Sequence, residues 1–238
     1  MDQSINCYFD YIQNPISAYR KALFKKCIAS ITGGDVLDLG CGAVGHYWAL
    51  GYVSRVNSYS LYDYSAETIA FQSQRIDEIE PFLLADKFGD TLAYLKKSAL
   101  LPKNYPLHQL TADLIVKLRQ VKKFDFLKDH PEHQFDHILA IESLECVQNL
   151  TQFKNGLRRT LRMLKPGGHL AMVVLHYDRI TTHTEQLIQN KLEGRLNPDE
   201  SSIQQVLRKL PHKRFRIESI AQTHIENYSQ ATITHVYI

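Results

Sequence analysis

The fold of this chain is decided by one stretch, Val36-Leu37-Asp38-Leu39-Gly40-Cys41-Gly42-Ala43-Val44-Gly45. Its first residues are mostly apolar, as in a short buried strand, and the glycines after them predict a tight turn into a helix. Glycine suits such a turn because a Cβ would obstruct the required backbone angles, and because a ligand can then approach the main chain closely. The stretch therefore predicts a strand, a turn and a helix with a ligand bound at the turn.

An acidic residue further along strengthens this interpretation. Asp63 lies 21 positions after Gly42, at the end of the second predicted strand. A carboxylate at this place can accept hydrogen bonds from both hydroxyl groups of an adenosine ribose. The glycines alone are also compatible with a plain tight turn, and Asp63 alone with an exposed loop. Together they predict a cofactor that contains adenosine.

Two such cofactors are compatible with the pattern. The run from Gly40 to Gly45 matches G-x-G-x-x-G, so a nicotinamide dinucleotide, and with it an oxidoreductase, is one candidate. Asp38 argues against it, because a carboxylate just before the first glycine would repel a pyrophosphate. The same charge suits the cationic amino-acid end of S-adenosylmethionine, and no second mononucleotide-binding half is evident downstream. The residues therefore favour S-adenosylmethionine.

The composition is that of an ordinary globular protein. The chain has 238 residues, of which 44% are hydrophobic and 22% charged, so wholesale disorder is excluded. A net charge of +3, with basic residues scattered mostly in pairs, is too weak to favour nucleic acid. No apolar run approaches the roughly 20 residues that span a bilayer, and the N-terminus does not resemble a signal peptide. The four cysteines match neither a zinc site nor a disulfide framework, so we expect a reducing, cytoplasmic location.

Strand-like and helix-like segments alternate, which is typical of a parallel sheet covered by helices. The predicted strands are 36–39, 56–62, 121–126, 135–141, 169–175, 214–220 and 232–238. The predicted helices are 17–31, 66–79, 91–98, 112–118, 151–164, 184–192 and 200–210. The last strand alternates polar and apolar residues and is expected to be antiparallel. The prediction is an α/β fold with a seven-stranded, mostly parallel sheet.

Two motifs resemble the class I S-adenosylmethionine-dependent methyltransferases: Val36 to Gly42 looks like their first motif, and Leu161 to Leu170 like the helix–turn–strand before their fifth strand. A narrower similarity is to the nicotinamide, phenylethanolamine and indolethylamine N-methyltransferases. It is carried by Asp63-Tyr64-Ser65, by Lys117 to Phe126 and by Ser143-Leu144-Glu145-Cys146. The resemblance implies a single Rossmann-like domain, residues 1–238, with helices on both faces of the sheet. In it, residues 1–32 cap the cofactor site and residues 87–110 form an irregular insertion.

The resemblance and the charge argument together name the expected cofactor contacts. They are Tyr11, Asp38, Gly40, Gly42, Asp63, Tyr64, Thr68, Asp125, Phe126 and Ile141. The glycines line the methionine part, Asp63 and Thr68 contact the ribose, and Asp125 and the Phe126 amide contact the adenine, beside which Tyr64 packs. In the family, N-terminal tyrosines close over the cofactor; here Tyr8, Tyr11 and Tyr19 are the candidates, and Tyr11 is favoured.

The reaction implied by the resemblance is an in-line transfer of a methyl group from a sulfonium to a nucleophile. A hydroxyl or a protonated amine would benefit from a general base. Glu142, just after the fourth strand, is the leading residue for binding a cationic amine or taking its proton. His176 follows the fifth strand and is a second candidate base. Tyr177 and Tyr228 are candidate walls of the acceptor pocket.

The predicted function is methylation of a small molecule, with nitrogen of an amine or aromatic heterocycle as the acceptor. The alternatives are a small-molecule O-methyltransferase of a natural-product pathway and a non-catalytic, cofactor-binding partner subunit. We expect a monomer without nucleic-acid, membrane or metal partners. His130, His133 and His137 lack the H-E-x-x-H spacing, and Pro131 would break a helix that aligned them. Val174 stands where some family members carry an acid that holds the acceptor.

Overall fold

The computed structural model describes residues 16–77, 88–177, 196–221 and 228–238. These residues form strands β1 (Asp35–Leu39), β2 (Ser58–Asp63), β3 (Leu118–Lys123), β4 (Phe135–Ile141), β5 (Leu164–Tyr177), β6 (Arg214–Ala221) and β7 (Tyr228–Tyr237). They also form helices α1 (Ala18–Lys26), α2 (Gly45–Ala49), α3 (Ala66–Asp77), α4 (Gly89–Lys97), α5 (Leu107–Val116), α6 (Leu150–Arg162) and α7 (Glu200–Leu207). Short 3₁₀ turns span Ile28–Ser30 and Gly42–Val44. Tyr8, Tyr11 and the helix predicted at 184–192 lie outside the described residues.

The sheet formed by these residues has the order β3-β2-β1-β4-β5-β7-β6. Neighbours from β3 to β5 pair in parallel, whereas β7 pairs antiparallel with both β5 and β6. The prediction of a Rossmann-like, seven-stranded, mostly parallel sheet with an antiparallel C-terminal strand is confirmed. The chain reverses its direction of winding between β1 and β4. Ligands bind at the carboxyl ends of the strands at such a point.

One error in the predicted boundaries concerns the junction between α5 and β3. The sequence pattern predicts a helix at 112–118 and a strand at 121–126, whereas α5 ends at Val116 and β3 begins at Leu118. Lys117 makes this abrupt change: its N–H bonds to the Asp113 carbonyl, and its own carbonyl accepts the N–H of Tyr59 at 2.8 Å. β3 is an edge strand with mostly polar side chains, so its hydrophobic pattern is weak. Asp125 and Phe126 consequently follow the strand instead of ending it.

Helices cover both faces of the sheet and create two buried clusters. On one face, Leu23 and Phe24 of α1 pack with inward side chains of β4 and β5, among them Leu139 and Val173. On the other face, α6 and α7 contribute Phe153, Leu157, Leu161, Ile203 and Leu207. Because side chains alternate along a strand, neighbouring residues of β4 or β5 belong to different clusters. This alternation decides which side chains meet at the site.

Among the described residues, no helix has the length and apolar character needed to cross a bilayer. Asn149 is the N-cap of α6, since its side chain accepts a hydrogen bond from the Gln152 amide at 3.0 Å. Gln152 returns the contact to the amide of Gln148, one residue earlier than a capping box predicts. The helix then runs to Arg162, where β5 follows almost at once.

Candidate active site

The turn after β1 contains two glycines with different physical roles. Gly40 and Gly42 have φ angles of +73° and +54°, in the left-handed region where a side chain is strained. A Cβ on Gly40 would collide with Ser143, whose hydroxyl donates to the carbonyl of Leu39 at 2.8 Å. A Cβ on Gly42 would meet nothing within 4 Å. Gly40 therefore permits close packing, while the open space beside Gly42 leaves the backbone accessible to a ligand.

Asp63, at the end of β2, is bonded directly to this turn. Its Oδ2 accepts the N–H of Gly42 at 2.9 Å, and its Oδ1 accepts the N–H of Ser65 at 2.8 Å. The carboxylate is partly exposed, so its remaining lone pairs can accept further hydrogen bonds. The structure therefore brings together the two features from which the sequence predicted an adenosine site.

Gln72 of α3 is a part of this site that sequence reasoning missed. It is fully buried, and its Nε2 donates to the carbonyl oxygen of Gly42 at 2.6 Å. Gly42 is thus held on both sides, by Asp63 at its N–H and by Gln72 at its carbonyl. The sequence shows only that Gln72 lies on a predicted helix. Its burial, which marks it as part of the site, appears only in the folded chain.

Asp38 is a buried acid whose charge has no partner among the described residues. Only 1% of it is exposed, and its Oδ2 has no hydrogen bond there. Burial, and secondarily the charge of Asp63, raises the pKa of Asp38 to about 8. An unpaired buried carboxylate costs several kcal/mol unless a cation compensates it. The orphaned oxygen and the open space at Gly42 therefore fit the ammonium end of S-adenosylmethionine.

A cavity opens in front of Asp38, between the carboxyl ends of β1 and β4. The described residues that line it are Arg20, Asp38, Gly40, Cys41, Gly42, Val44, Tyr47, Trp48, Ile141 and Glu142. Of the predicted cofactor contacts, the structure thus brings together Asp38, both glycines and Ile141. The Cys41 thiol is buried, and burial followed by the charges of Asp38 and Asp63 raises its pKa well above its ordinary value. The raised pKa disfavours the thiolate, which is the nucleophilic form of cysteine.

Arg20 of α1 was also missed from the sequence. It is only 2% exposed, lines the cavity, and donates from Nη1 to the hydroxyl oxygen of Tyr47 at 3.4 Å. Its guanidinium carbon lies 5.9 Å from the centre of the Tyr47 ring. The cavity is therefore lined by a buried cation as well as by the carboxyl group of Asp38. One charge of each sign matches a zwitterionic amino-acid group.

Glu142 follows β4 and lines the same cavity. Its φ of +56° is unusual for a residue other than glycine, and such strain is concentrated at functional sites. Its amide bonds to the carbonyl of Val173 at 2.9 Å, which holds the strained backbone against β5. Oε1 accepts the hydroxyl of Tyr19 at 2.7 Å. Burial raises the pKa of Glu142, and the hydrogen bond from Tyr19 partly offsets this.

The residues predicted for the adenosine lie along the neighbouring edge. Tyr64 is 66% exposed beside Asp63, and the Thr68 amide bonds to Ser65 at the start of α3. Asp125 accepts the N–H of Leu127 at 2.9 Å, and the ring of Phe126 packs against Gly156 of α6. None of these four lines the described part of the cavity, and their cofactor roles stay predictions.

His176 does not join Glu142 in the described part of the site. Its Nε2 lies 2.5 Å from Oγ1 of Thr232, on the face of β5 that it shares with Val174. Burial lowers its pKa, although Asp199 and Glu200 act in the opposite direction. Its role as a base stays a prediction. Tyr177 and Tyr228 pair through their backbones, but their side chains lie outside the described set, as does Tyr11.

Three histidines form a row at the opposite end of the sheet. His137 Nδ1 lies 3.5 Å from His169 Nδ1, and His169 Nε2 lies 2.9 Å from His235 Nδ1. In the described ranges, no group of three or more His, Cys, Asp or Glu side chains is arranged to hold a metal ion. The row belongs to the packing of β4, β5 and β7.

The model of a methyltransferase-domain family matches residues 8–236, and no curated protein sequence matches significantly. Among solved structures, the N-methyltransferase NodS from Bradyrhizobium japonicum WM9, in complex with S-adenosyl-L-homocysteine, has a TM-score of 0.54 at 12% identity over 99% of this chain and 98% of that one. A possible histamine N-methyltransferase from Thermotoga maritima has a TM-score of 0.56 at 10% identity, over 98% and 95%.

A third similar structure is the CurJ carbon methyltransferase, with a TM-score of 0.56 at 14% identity over 93% of this chain and 55% of that one. Identities this low establish the fold, and the neighbours differ in the atom that they methylate. The family match, which covers nearly the whole chain, sets aside the oxidoreductase alternative. The chain belongs to the methyltransferase-domain family, and the prediction of a methyltransferase that uses S-adenosylmethionine is confirmed.

Proposed function

We propose that this enzyme methylates the nitrogen of a small amine or aromatic heterocycle, as the resemblance to the nicotinamide, phenylethanolamine and indolethylamine N-methyltransferases implies. One observation carries the proposal: the Glu142 carboxylate lies on the same cavity as Asp38 and the glycine turn, on a strained backbone. A carboxylate beside the reacting methyl group attracts a cationic amine and repels an anionic acceptor. The names of NodS and of the Thermotoga protein are compatible with nitrogen as the acceptor atom.

The cofactor end of the cavity is proposed to bind both charges of the methionine part. Asp38 would pair with the ammonium group and Arg20 with the carboxylate, since both side chains are buried and line the cavity. Asp63 would accept the ribose hydroxyls with the lone pairs that Gly42 and Ser65 leave free. Tyr64, Thr68, Asp125 and Phe126 keep their predicted places around the ribose and the adenine. When bound, the cofactor supplies an electrophilic methyl group on a sulfonium sulfur.

At the acceptor end, Glu142 would first bind the protonated amine. Burial raises the pKa of Glu142, which makes its carboxylate a stronger proton acceptor than an exposed glutamate. It takes the proton from the ammonium nitrogen, and the freed lone pair of that nitrogen forms the bond to the methyl carbon. The bound cofactor would supply that methyl carbon, and its sulfur would keep the electron pair of the carbon–sulfur bond. Tyr47 and Trp48, both buried beside the cavity, exclude water from this region.

The proposal is tested with radiolabelled S-adenosylmethionine and a panel of acceptors. Histamine, tryptamine, phenylethanolamine and nicotinamide carry nitrogen nucleophiles, while catechol carries only oxygen. We expect methylated product from at least one nitrogen compound and none from catechol, with the modified atom identified by mass spectrometry. Product from catechol alone would instead establish an O-methyltransferase. Binding of S-adenosyl-L-homocysteine without transfer to any acceptor would point to the non-catalytic partner subunit.

We also propose that the protein is a monomer, that it is located in the cytoplasm, and that residues 1–32 form a cap over the cofactor site. The cap is supported by α1, whose residues Tyr19 and Arg20 reach the cavity from the N-terminal part of the chain. Size-exclusion chromatography with light scattering checks the oligomeric state, for which 27.4 kDa is the expected mass.

A further inference from the structure

Helix α1 sends two consecutive side chains to two different parts of the site. Tyr19 and Arg20 are 1% and 2% exposed. Because an α-helix turns by about 100° per residue, neighbours on it point in different directions. Tyr19 reaches Glu142, and Arg20 reaches Tyr47 beside the glycine turn. The N-cap of the helix, Ser17, accepts the amide of Arg20 at 3.2 Å and so fixes where the helix begins.

The contact between Tyr19 and Glu142 joins residues 123 positions apart. The phenol donates to Oε1 at 2.7 Å, a normal length for an O–H···O hydrogen bond. The Tyr19 ring is buried, so its hydroxyl has little freedom to move. The Glu142 backbone is equally constrained, with its amide bonded to Val173. Both partners are therefore preorganised before any acceptor binds.

We propose that Tyr19 is a positioning residue for the methyl acceptor: it holds one oxygen of the Glu142 carboxylate so that the other oxygen faces the acceptor nitrogen. This inference rests on the proposed function, because it assigns Glu142 to the acceptor. In the described residues, Oε1 of Glu142 is the oxygen with a hydrogen bond to protein. Acceptor binding thus depends on α1 through Tyr19, whereas cofactor binding depends on α1 through Arg20.

The same hydrogen bond favours selection of a cation. A phenol that donates to a carboxylate stabilises the ionised form and opposes the effect of burial on Glu142. An ionised Glu142 attracts an ammonium acceptor, while a protonated Glu142 would not. Tyr19 therefore increases the fraction of the enzyme in which Glu142 is ionised and can bind a basic amine at a given pH.

The experiment compares Tyr19→Phe with Tyr52→Phe by carbon NMR of protein labelled at glutamate Cδ. Glu142→Gln assigns the signal of Glu142 by removing it. Tyr52 is the matched control, because it is also fully buried and its hydroxyl has no partner among the described residues. Tyr19→Phe should raise the pKa of Glu142, because the variant loses the hydrogen bond that stabilises the carboxylate. Tyr52→Phe should leave it unchanged. Equal pKa values in wild type and Tyr19→Phe overturn the inference.

A second measurement does not require Tyr19→Phe to fold. In wild-type protein labelled at tyrosine Cζ, one tyrosine signal should titrate with the midpoint of Glu142, and this inflection should vanish in Glu142→Gln. Its absence from wild type would contradict the contact. These titrations need no acceptor, so they can fail while methyl transfer succeeds, and the reverse.

The link to the acceptor is tested with whichever panel compound is methylated. We expect Tyr19→Phe to raise its KM by about tenfold, while the Kd of S-adenosyl-L-homocysteine changes by less than about twofold. A merely structural Tyr19 would change both constants together or neither, and that result would refute a positioning role. Failure of every panel compound would count against the proposed function, leaving the NMR result to judge the contact.

Discussion

Strands β1 and β4 have acidic residues at both of their ends, and the two ends differ in how these charges are balanced. At the amino ends, Lys165 bonds to Asp35 at 3.0 Å and to Asp136 at 2.8 Å. Burial raises the pKa values of these two carboxyls, but the hydrogen bonds and charge of Lys165 outweigh it and leave both lowered. At the carboxyl ends, burial leaves the pKa values of Asp38 and Glu142 raised.

The two ends of β1 and β4 show how a binding site differs from the framework that carries it. In the cluster of Asp35, Asp136 and Lys165, the lysine pairs with both carboxylates, and the cluster stabilises the fold. Asp38 and Glu142 are costly to the free protein, through an uncompensated charge in one case and a strained backbone in the other. Such costs are retained where a ligand compensates them.

The largest expected effect is on the chemical step. Glu142→Gln should lower kcat by about 10²–10³-fold, because the amide cannot take a proton from the acceptor. The affinity for S-adenosyl-L-homocysteine, measured by calorimetry, should stay within about twofold, since we propose that Glu142 binds the acceptor and not the cofactor. Glu132→Gln, at an exposed glutamate that pairs with Lys122, serves as the control and should be fully active. An active Glu142→Gln enzyme would remove Glu142 from the mechanism.

The next effect concerns the cofactor. Arg20→Met should weaken binding of S-adenosyl-L-homocysteine by about 10–100-fold, the scale of one lost hydrogen bond to a charged group. Binding of 5′-methylthioadenosine, which lacks the amino-acid part, should not change. Lys25→Met removes an exposed cation from the same helix and should affect neither ligand. Equal losses for both ligands would show that Arg20 supports the cavity without contacting the carboxylate.

The third effect is on stability: the difference in stability between wild type and Asp38→Asn should depend on pH. Ionised Asp38 is favoured in the unfolded chain, near its ordinary pKa of 3.8, but in the folded protein only above about 8. Wild type therefore loses stability relative to the variant as pH rises from about 4 to about 8. We expect the ligand-free variant to melt at least about 4 °C higher at pH 8, and the difference to shrink towards pH 5. A variant that melts lower at both pH values would indicate that Asp38 has a stabilising partner.

The smallest effect is expected at the paired end. Lys165→Met should lower stability at pH 7 by no more than about 1 kcal/mol, because Lys165 is partly exposed and solvent screens its charge. Lowered carboxyl pKa values contribute stability above the ordinary Asp pKa of 3.8 that is lost as pH falls further, so the variant should be less sensitive to acid. Denaturant titration at pH 7 and pH 3 measures both effects, with Lys209→Met as the exposed control. Weaker cofactor binding in Lys165→Met would break the distinction between the two ends.

Part of the candidate site could be predicted because it is encoded locally. The turn at Gly40 and Gly42 is continuous in sequence, and Asp63 follows at a spacing set by one helix and one strand, so both were found before the fold was known. Arg20 and Gln72 could not be found in this way. An arginine or a glutamine on a helix is ordinarily exposed, and no local sequence pattern predicts that either of these two is buried near the glycine turn.

His176 and Glu142 also show the difference between what the sequence predicts and what only the folded chain reveals. Both were predicted from their positions after a strand, at the edge where ligands bind. Which face each side chain occupies depends on register, and a shift of one residue reverses it. Glu142 meets Tyr19 of α1, while His176 meets Thr232 of β7.

The amino-acid sequence by itself determined the order of strands and helices, the glycine turn, the acid at the end of β2 and the methyltransferase family. These follow from short-range preferences of the backbone and from residues close together along the chain. Only the folded chain brings Arg20 and Asp38 to one cavity, gives Glu142 a left-handed backbone and bonds Glu142 to Tyr19. Those contacts join segments more than 100 residues apart or depend on burial, and their energies exist only once the sheet and α1 have packed together.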